Sequence, residues 1–291
     1  MDVLLAQTLD EALKMKAANP EALPIAGGTD VMVELNFDLR RPEVMIDICR
    51  LPELRAWGRE DGAFFLGAGM TYARIMRELA DLTPLAQASR TVGSPQIRNR
   101  GTVGGNLGTG SPAGDALPVL AAYDAEIVLA SASRTRTLRW DEFHVGPKKT
   151  ALEPEELILG ARWRSVRGPG SFSKIGTRNA MVISVVGLCL VMDEDARAVR
   201  VALGSVGPTV LRASDAEAFV AEALERSGTW DEPAADLAAD AMEGFAERVA
   251  AAARPIDDVR GSAAYRRHGC SVLARRALGW ALASRREGIR T

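Results

Sequence analysis

Apolar and polar positions alternate along the chain in blocks that predict a protein of mixed helices and strands. Thr8-Leu-Asp-Glu11 puts a hydroxyl at a helix entry and a carboxylate three residues later, the capping-box arrangement. It predicts a helix from Leu9 to about Ala18, ended by Asn19-Pro20. An apolar run over 23–26 predicts a strand feeding Gly27-Gly28, and 44–48, after Arg41-Pro42, a second one, which gives a small β–α–β opening. A strand over 64–68, a helix capped by Thr71 and reaching about Ala80, and a helical stretch over 85–91 follow. A long glycine-rich segment follows, from Gly93 to Gly114, to which no helix or strand is assigned. Asp115 is placed to cap a short helix through Ala122, with Pro118 in the first turn, where backbone N–H groups lack intrahelical partners.

Runs over 125–130, 135–140 and 157–163 predict further strands, and Arg167-Gly-Pro-Gly170 is the clearest linker. Beyond it, strands are expected over 172–175, 182–192 and 199–205, with Asp193-Glu-Asp195 as a turn between the last two. The remainder is helical in pattern. Ser214-Asp-Ala-Glu217 has capping-box spacing, and helices are expected over 216–226, 235–252 and 262–284.

Composition narrows the possible partners. The 291 residues carry 36 Lys and Arg against 38 Asp and Glu, a net charge of −2, so nothing electrostatic points to nucleic acid or an anionic membrane. The length suits two domains of about 100–200 residues each. No apolar run reaches the roughly 18 residues of a membrane span, and the acidic start with Asp2, Asp10 and Glu11 is not that of a signal peptide. Cys49, Cys189 and Cys270 form no CxxC, and with only His144 and His268 beside them no zinc or iron–sulfur site is expected. A cytoplasmic, reducing location is expected. The two histidines read as surface or interface residues, and Tyr265-Arg-Arg267 with Arg275-Arg276 as a basic helix face, solvated or paired with a partner subunit.

Two glycine-bearing turns carry the candidate chemistry, Ala26-Gly-Gly-Thr-Asp30 and Thr102-Val-Gly-Gly-Asn106. Glycine lets successive N–H groups point at one place and lets an anion approach without a Cβ in the way. In the first turn Thr29 adds a hydroxyl, and a helix starting near Asp30 aims its N-terminus at the same place; in the second, Asn106 adds an amide. The alternative for each glycine pair is a tight turn and nothing more. GxxxxGK[ST] is absent, and neither Gly67-Ala-Gly69 nor Gly108-Thr-Gly110 completes GxGxxG, which argues against P-loop and dinucleotide Rossmann domains. Asp115 could accept from a sugar hydroxyl or serve only as a cap. Lys174 could bring charge to an electron-rich ring or be a solvated strand lysine. Ser94 and Ser111 lack a His and Asp constellation, so no nucleophile is assigned.

Taken together, residues 24–31, 94–107 (Ser-Pro-Gln-Ile-Arg-Asn-Arg-Gly-Thr-Val-Gly-Gly-Asn-Leu) and Ser111-Pro-Ala-Gly-Asp115 resemble the FAD-binding, or medium, subunit of the molybdenum hydroxylases, the family of xanthine dehydrogenase and carbon monoxide dehydrogenase. The likeness extends to residues 174–181 and 258–267, and so to nearly the whole chain. It implies an α+β fold: a two-lobed FAD-binding domain of the vanillyl-alcohol-oxidase type over 1–165 (lobes about 1–55 and 56–165), then an α+β C-terminal domain over 171–291 with a small antiparallel sheet plus helices. Ile25, Ala26, Gly27, Gly28, Thr29, Asp30 and Val31 with Thr102, Gly104, Gly105 and Asn106 would hold the FAD diphosphate and ribityl chain. Asp115 would hold a cofactor hydroxyl, and Ile158 and Lys174 would lie at the flavin end. With no His or Cys in either turn, attachment would be non-covalent.

The resemblance further implies partner subunits, a large one binding molybdopterin and a small one carrying [2Fe–2S] clusters, in a dimer of heterotrimers. Electrons would pass from the clusters through FAD to NAD+ or another acceptor. A xanthine dehydrogenase-like complex is the nearest expectation; a carbon monoxide, aldehyde or N-heterocycle dehydrogenase, a self-contained flavoprotein oxidase or dehydrogenase, and a non-enzymatic nucleotide-binding module are the alternatives. Three scattered cysteines exclude the additional four-cysteine cluster of the 4-hydroxybenzoyl-CoA reductase relatives.

Overall fold

A parallel three-stranded sheet opens the chain, with Val44–Asp47 between Asp2–Leu5 and Leu23–Ile25. The computed structural model describes residues 1–287 and groups them into two units: Met1–Glu78, Val92–Ser111 and Asp124–Ser165 in the first, Leu79–Thr91, Pro112–Tyr123 and the chain from Val166 onward in the second. The helix Leu9–Ala18 links the first two parallel strands. Thr8 Oγ1 accepts from the Glu11 amide at 3.2 Å, while the Glu11 carboxylate reaches back to the amide of Gln7, one residue before the cap. Ala12 on the inner face of the helix packs into a small core with Leu51, Leu54 and Leu157.

The first unit also holds a five-stranded antiparallel sheet, ordered Trp57–Glu60, Ala63–Gly67, Leu157–Arg164, Glu126–Ala130, Thr135–Arg139. Leu157–Arg164 is central, and its Trp163 lies opposite Phe64 with ring centroids 4.8 Å apart. The outer strands Asp2–Leu5 and Trp57–Glu60 escape the sequence pattern because they are short edge strands with mostly exposed side chains. Residues 93–114 are not irregular. They contain the helices Pro95–Arg100 and Val103–Thr109, each entered through a hydroxyl: Ser94 Oγ accepts from the Ile97 amide and Thr102 Oγ1 from the Gly105 amide. Low helix propensity hides these helices in the sequence, and capping and tertiary packing override it.

In the second unit an antiparallel sheet runs Gly170–Ile175, Val186–Asp193, Ala198–Gly204, Leu211–Arg212. Every residue of Val186–Asp193 is buried, because both faces of the strand are covered. Val186, Leu188, Leu190 and Met192 join a core with the helices Ser214–Arg226, Ala239–Ala252 and Ala263–Glu287. The opposite face receives Thr83–Thr91 and Ala116–Ala122: a Cβ on Gly170 would lie 2.9 Å from Pro84, and one on Gly204 2.8 Å from Pro118. These two helices precede the linker in sequence, yet their apolar surfaces are buried by the second unit's sheet.

Two sequence expectations change here. Ser214 is the first residue inside its helix and makes no cap; Glu217 instead accepts from the Val201 amide and from the Arg212 guanidinium, a charged donor brought close by the strand Leu211–Arg212. The basic face of Ala263–Glu287 is only partly a face. Arg266 is 1% exposed and donates to the Val185 and Ser205 carbonyls and to Asp258, whereas Arg267, Arg275 and Arg276 are exposed. No helix among the described residues is long and apolar enough to cross a membrane.

Candidate cofactor-binding site

The turn after Leu23–Ile25 is shaped by two glycines with different duties. A Cβ on Gly27 would lie 2.0 Å from the carbonyl oxygen of Arg100, so only glycine lets the turn pass under the end of Pro95–Arg100. Gly28 has φ +74°, a left-handed conformation that side chains disfavour. The amides of Gly27, Gly28, Thr29 and Asp30 have no acceptor among the described residues, so this turn's donors are open to solvent or a ligand. Thr109 Oγ1 donates to Asp30 Oδ2 at 2.8 Å and ties the turn to the far end of Val103–Thr109.

The second glycine pair does something else. The Val103 and Gly104 amides donate to the Met70 and Ala68 carbonyls, and the Gly105 and Asn106 amides to Thr102 Oγ1 and Thr102 O. Its backbone donors are spent inside the protein, which corrects the expectation that both turns offer N–H groups to an anion. Gly104 is there for packing, since a Cβ would sit 2.6 Å from the Ala68 Cβ. What this helix offers is the Asn106 side chain, whose buried Oδ1 has no hydrogen-bond partner among the described residues. An orphaned acceptor of that kind fits a ligand hydroxyl or N–H.

Both turns open on one cleft of about 890 Å³ in the first unit, lined by residues 26–31, by Thr102, Gly104, Gly105 and Asn106, and by Ile158. Ile25 supports the turn from behind, its Cδ1 3.6 Å from the Cβ position of Gly28. Ile158 lies at a bulge of the central strand, its Cδ1 3.5 Å from the Cβ position of Gly108. Cys49 and Arg100 are among the lining residues that sequence reasoning does not assign to the site. Cys49 follows Val44–Asp47, and parallel pairing of Ile25 with Asp47 brings its thiol to the Ala26 carbonyl, to which it donates. Burial pushes that thiol up to about 11, so it stays protonated at neutral pH and is a poor nucleophile. Strand register was the signal that could have found it. Arg100 is 73 residues from Gly27 in sequence, and no local pattern points to it.

Asp115 and Lys174 belong to the second unit and bond to each other: Lys174 Nζ lies 2.7 Å from Asp115 Oδ2 and 3.2 Å from the Thr91 carbonyl, and Thr91 Oγ1 donates to the same carboxylate oxygen. Asp115 makes no side-chain cap and Lys174 is not solvated, since burial drives each to the other's charge. Burial raises the Asp115 pKa, with Lys174 opposing the shift, and Asp115 Oδ1 is buried without a partner among the described residues. His144 is half-buried: its Nε2 is 3.1 Å from the Leu107 carbonyl, and burial lowers its pKa. His268 is exposed. Among the described residues no group of three or more His, Cys, Asp or Glu side chains is placed to hold a metal ion.

Residues 1–162 match the family model described as the FAD binding domain in molybdopterin dehydrogenase, and residues 171–281 that of the CO dehydrogenase flavoprotein C-terminal domain. The chain belongs to the FAD-binding subunits of the molybdenum hydroxylases. This flavin subunit is 29% identical to the putative xanthine dehydrogenase FAD-binding subunit of Escherichia coli (strain K12), over 96% of this chain and 95% of that one. It is 31% identical to the carbon monoxide dehydrogenase medium chain of Hydrogenophaga pseudoflava, over 90% of each. Its structure superposes on carbon monoxide dehydrogenase from Hydrogenophaga pseudoflava with a TM-score of 0.82 and 27% identity, covering 98% of both chains. The expected α+β fold, with an FAD-binding domain and a flavoprotein C-terminal domain, is the one found. As a member of this family the chain is a subunit of an oxidoreductase.

Proposed function

We propose that this flavin subunit binds FAD non-covalently in the first-unit cleft and relays electrons within a molybdenum hydroxylase. Its partners in this reading are a large molybdopterin subunit and a small [2Fe–2S] subunit, together a cytoplasmic dimer of heterotrimers. The observation that carries the reading is the Gly27-Gly28-Thr29-Asp30 turn, whose four amides have no acceptor among the described residues and which lines a cleft of dinucleotide size. When bound, the flavin supplies the redox chemistry, taking up electrons and passing them to NAD+ or another acceptor.

The chain's own residues bind and position. The turn amides and Thr29 would hold the diphosphate, Asn106 Oδ1 would accept from a hydroxyl, and Ile158 would give an apolar surface to a ring. Cys49, the thiol beside the turn, stays protonated, which supports non-covalent attachment. Asp115 and Lys174 form their own pair, and the proposal gives them no step.

A xanthine-type purine is the first substrate to try, with carbon monoxide, the substrate named for the Hydrogenophaga relative, as its equal rival. The test is to express the chain with its genomic neighbours, record the absorption spectrum, release the chromophore by heat and identify the co-purifying subunits. Bleaching of the flavin bands on anaerobic addition of xanthine, but not carbon monoxide, is the expected result. The reverse order would move the complex to the carbon monoxide class. A colourless chain that takes up no FAD would sink the reading altogether.

A further inference from the structure

We propose that Arg100 positions the diphosphate of the dinucleotide, its guanidinium closing over the Gly27-Gly28-Thr29 turn. The inference rests on the reading of the cleft as the flavin site and adds a charged residue to it. Arg100 is the last residue of Pro95–Arg100 and meets the turn twice: its carbonyl leaves no room for a Cβ on Gly27, and its Nε lies 3.4 Å from the Gly27 carbonyl. Nη2 lies 3.9 Å from Cys49 Sγ.

Among the described residues no carboxylate pairs with this guanidinium, whereas two other arginines lining the cleft are engaged, Arg40 with Glu34 and Arg41 with Asp38; Arg55, the remaining lining arginine, makes no such contact with the Gly27-Gly28 turn. A diphosphate is dianionic at neutral pH, and the turn amides are neutral donors. Asp30 puts a carboxylate on the same turn, so a bound diphosphate needs a cation there to offset the repulsion. A guanidinium suits that task, because its planar fork matches two phosphate oxygens and its charge is permanent. Cys49, protonated, brings no competing anion.

The experiment uses the full chain stripped of flavin and titrated with FAD at several NaCl concentrations, for the wild type, Arg100→Gln and Arg100→Lys, with thermal melting as a check on folding. Because Arg100 meets Gly27 through its backbone carbonyl, the side-chain changes leave that contact in place. Arg100→Gln is expected to raise the FAD Kd about tenfold, as for loss of one charge-assisted hydrogen bond, with Arg100→Lys recovering part of it. The salt dependence of binding is expected to be shallower in Arg100→Gln. Wild-type Kd and salt dependence in Arg100→Gln would overturn the proposal while leaving the flavin reading intact. Equal losses in both variants with an unchanged salt dependence would also overturn it, since charge would then be irrelevant. A wild-type chain that binds no FAD would overturn the flavin reading itself, and this proposal with it.

Discussion

Lys174 and Asp115 stand 2.7 Å apart with side chains 8% and 5% exposed, a buried ion pair of the second unit formed across 59 residues of sequence. Taking two charges out of water costs several kcal/mol, which their attraction offsets only while both are present. Lys174→Met leaves a buried carboxylate with the Thr91 hydroxyl as its remaining donor among the described residues, and is expected to cost about 3–5 kcal/mol. Adding Asp115→Leu should recover much of that. Urea denaturation of the two single variants and the double variant measures the coupling; additive losses would show that the pair is not a unit.

Gly104 packs against Ala68 with no space for a side chain. Gly104→Ala is expected to push Val103–Thr109 away from its neighbour and to destabilise the chain by about 1–3 kcal/mol. Gly105→Ala is the control, because the nearest atom to its Cβ would be Thr102 Oγ1 at 3.2 Å. Thermal melting of the two variants should separate them, and equal midpoints would contradict the packing role assigned to Gly104.

Arg266 holds the Val185 and Ser205 carbonyls at 3.0 and 2.7 Å inside the second unit. Arg266→Met keeps much of the volume and removes the donors. Two buried carbonyls left unpaired are expected to cost at least about 2 kcal/mol. By contrast Arg276→Met, at an exposed position of the same helix, should be within about 0.5 kcal/mol of the wild type. Denaturation midpoints of the pair test the assignment, which fails if the two changes cost the same.

Glu78 accepts from Arg74, Arg77 and the Trp57 indole, and these bonds hold its carboxyl down to about 2. A carboxyl with a lower pKa folded than unfolded stabilises the protein fully above the unfolded value and loses that contribution as pH falls through the folded one. The window is therefore from the ordinary glutamate value of 4.5 down to about 2. Solvent screening reduces the contribution to about 1 kcal/mol. Glu78→Gln should lower stability by that amount at pH 7 and flatten the acid side of a stability profile measured between pH 5 and 2, in about half-unit steps. An acid limb as steep as the wild type's would refute the role.

Local instructions in the sequence are strong where three or four residues suffice. Thr8 and Glu11 define the start of Leu9–Ala18 through bonds between near neighbours, and Asn19 ends it by donating back to Met15 and Lys16. The apolar run that becomes Val186–Asp193 needs only its own composition to declare a fully covered strand. Gly27 and Gly28 likewise announce a turn after a strand, and the combined motifs identify the family. Those features are encoded by spacing, and spacing is visible in a string of letters.

What a glycine is for is not visible in the same way. Gly27 and Gly104 read alike in the sequence, yet one belongs to a turn with unspent amides and the other to a helix pressed on Ala68, because the neighbour that decides the matter comes from a distant segment. Arg100 over Gly27, Cys49 at Ala26, Lys174 on Asp115 and the burial of Arg266 are all of this kind. Such contacts join segments tens of residues apart, so their free energy depends on how sheets and helices pack and exclude water. The sequence by itself determined the elements, the glycine turns and the family; only the tertiary structure decided which amides stay free, which charges are buried together and which side chains face the cleft.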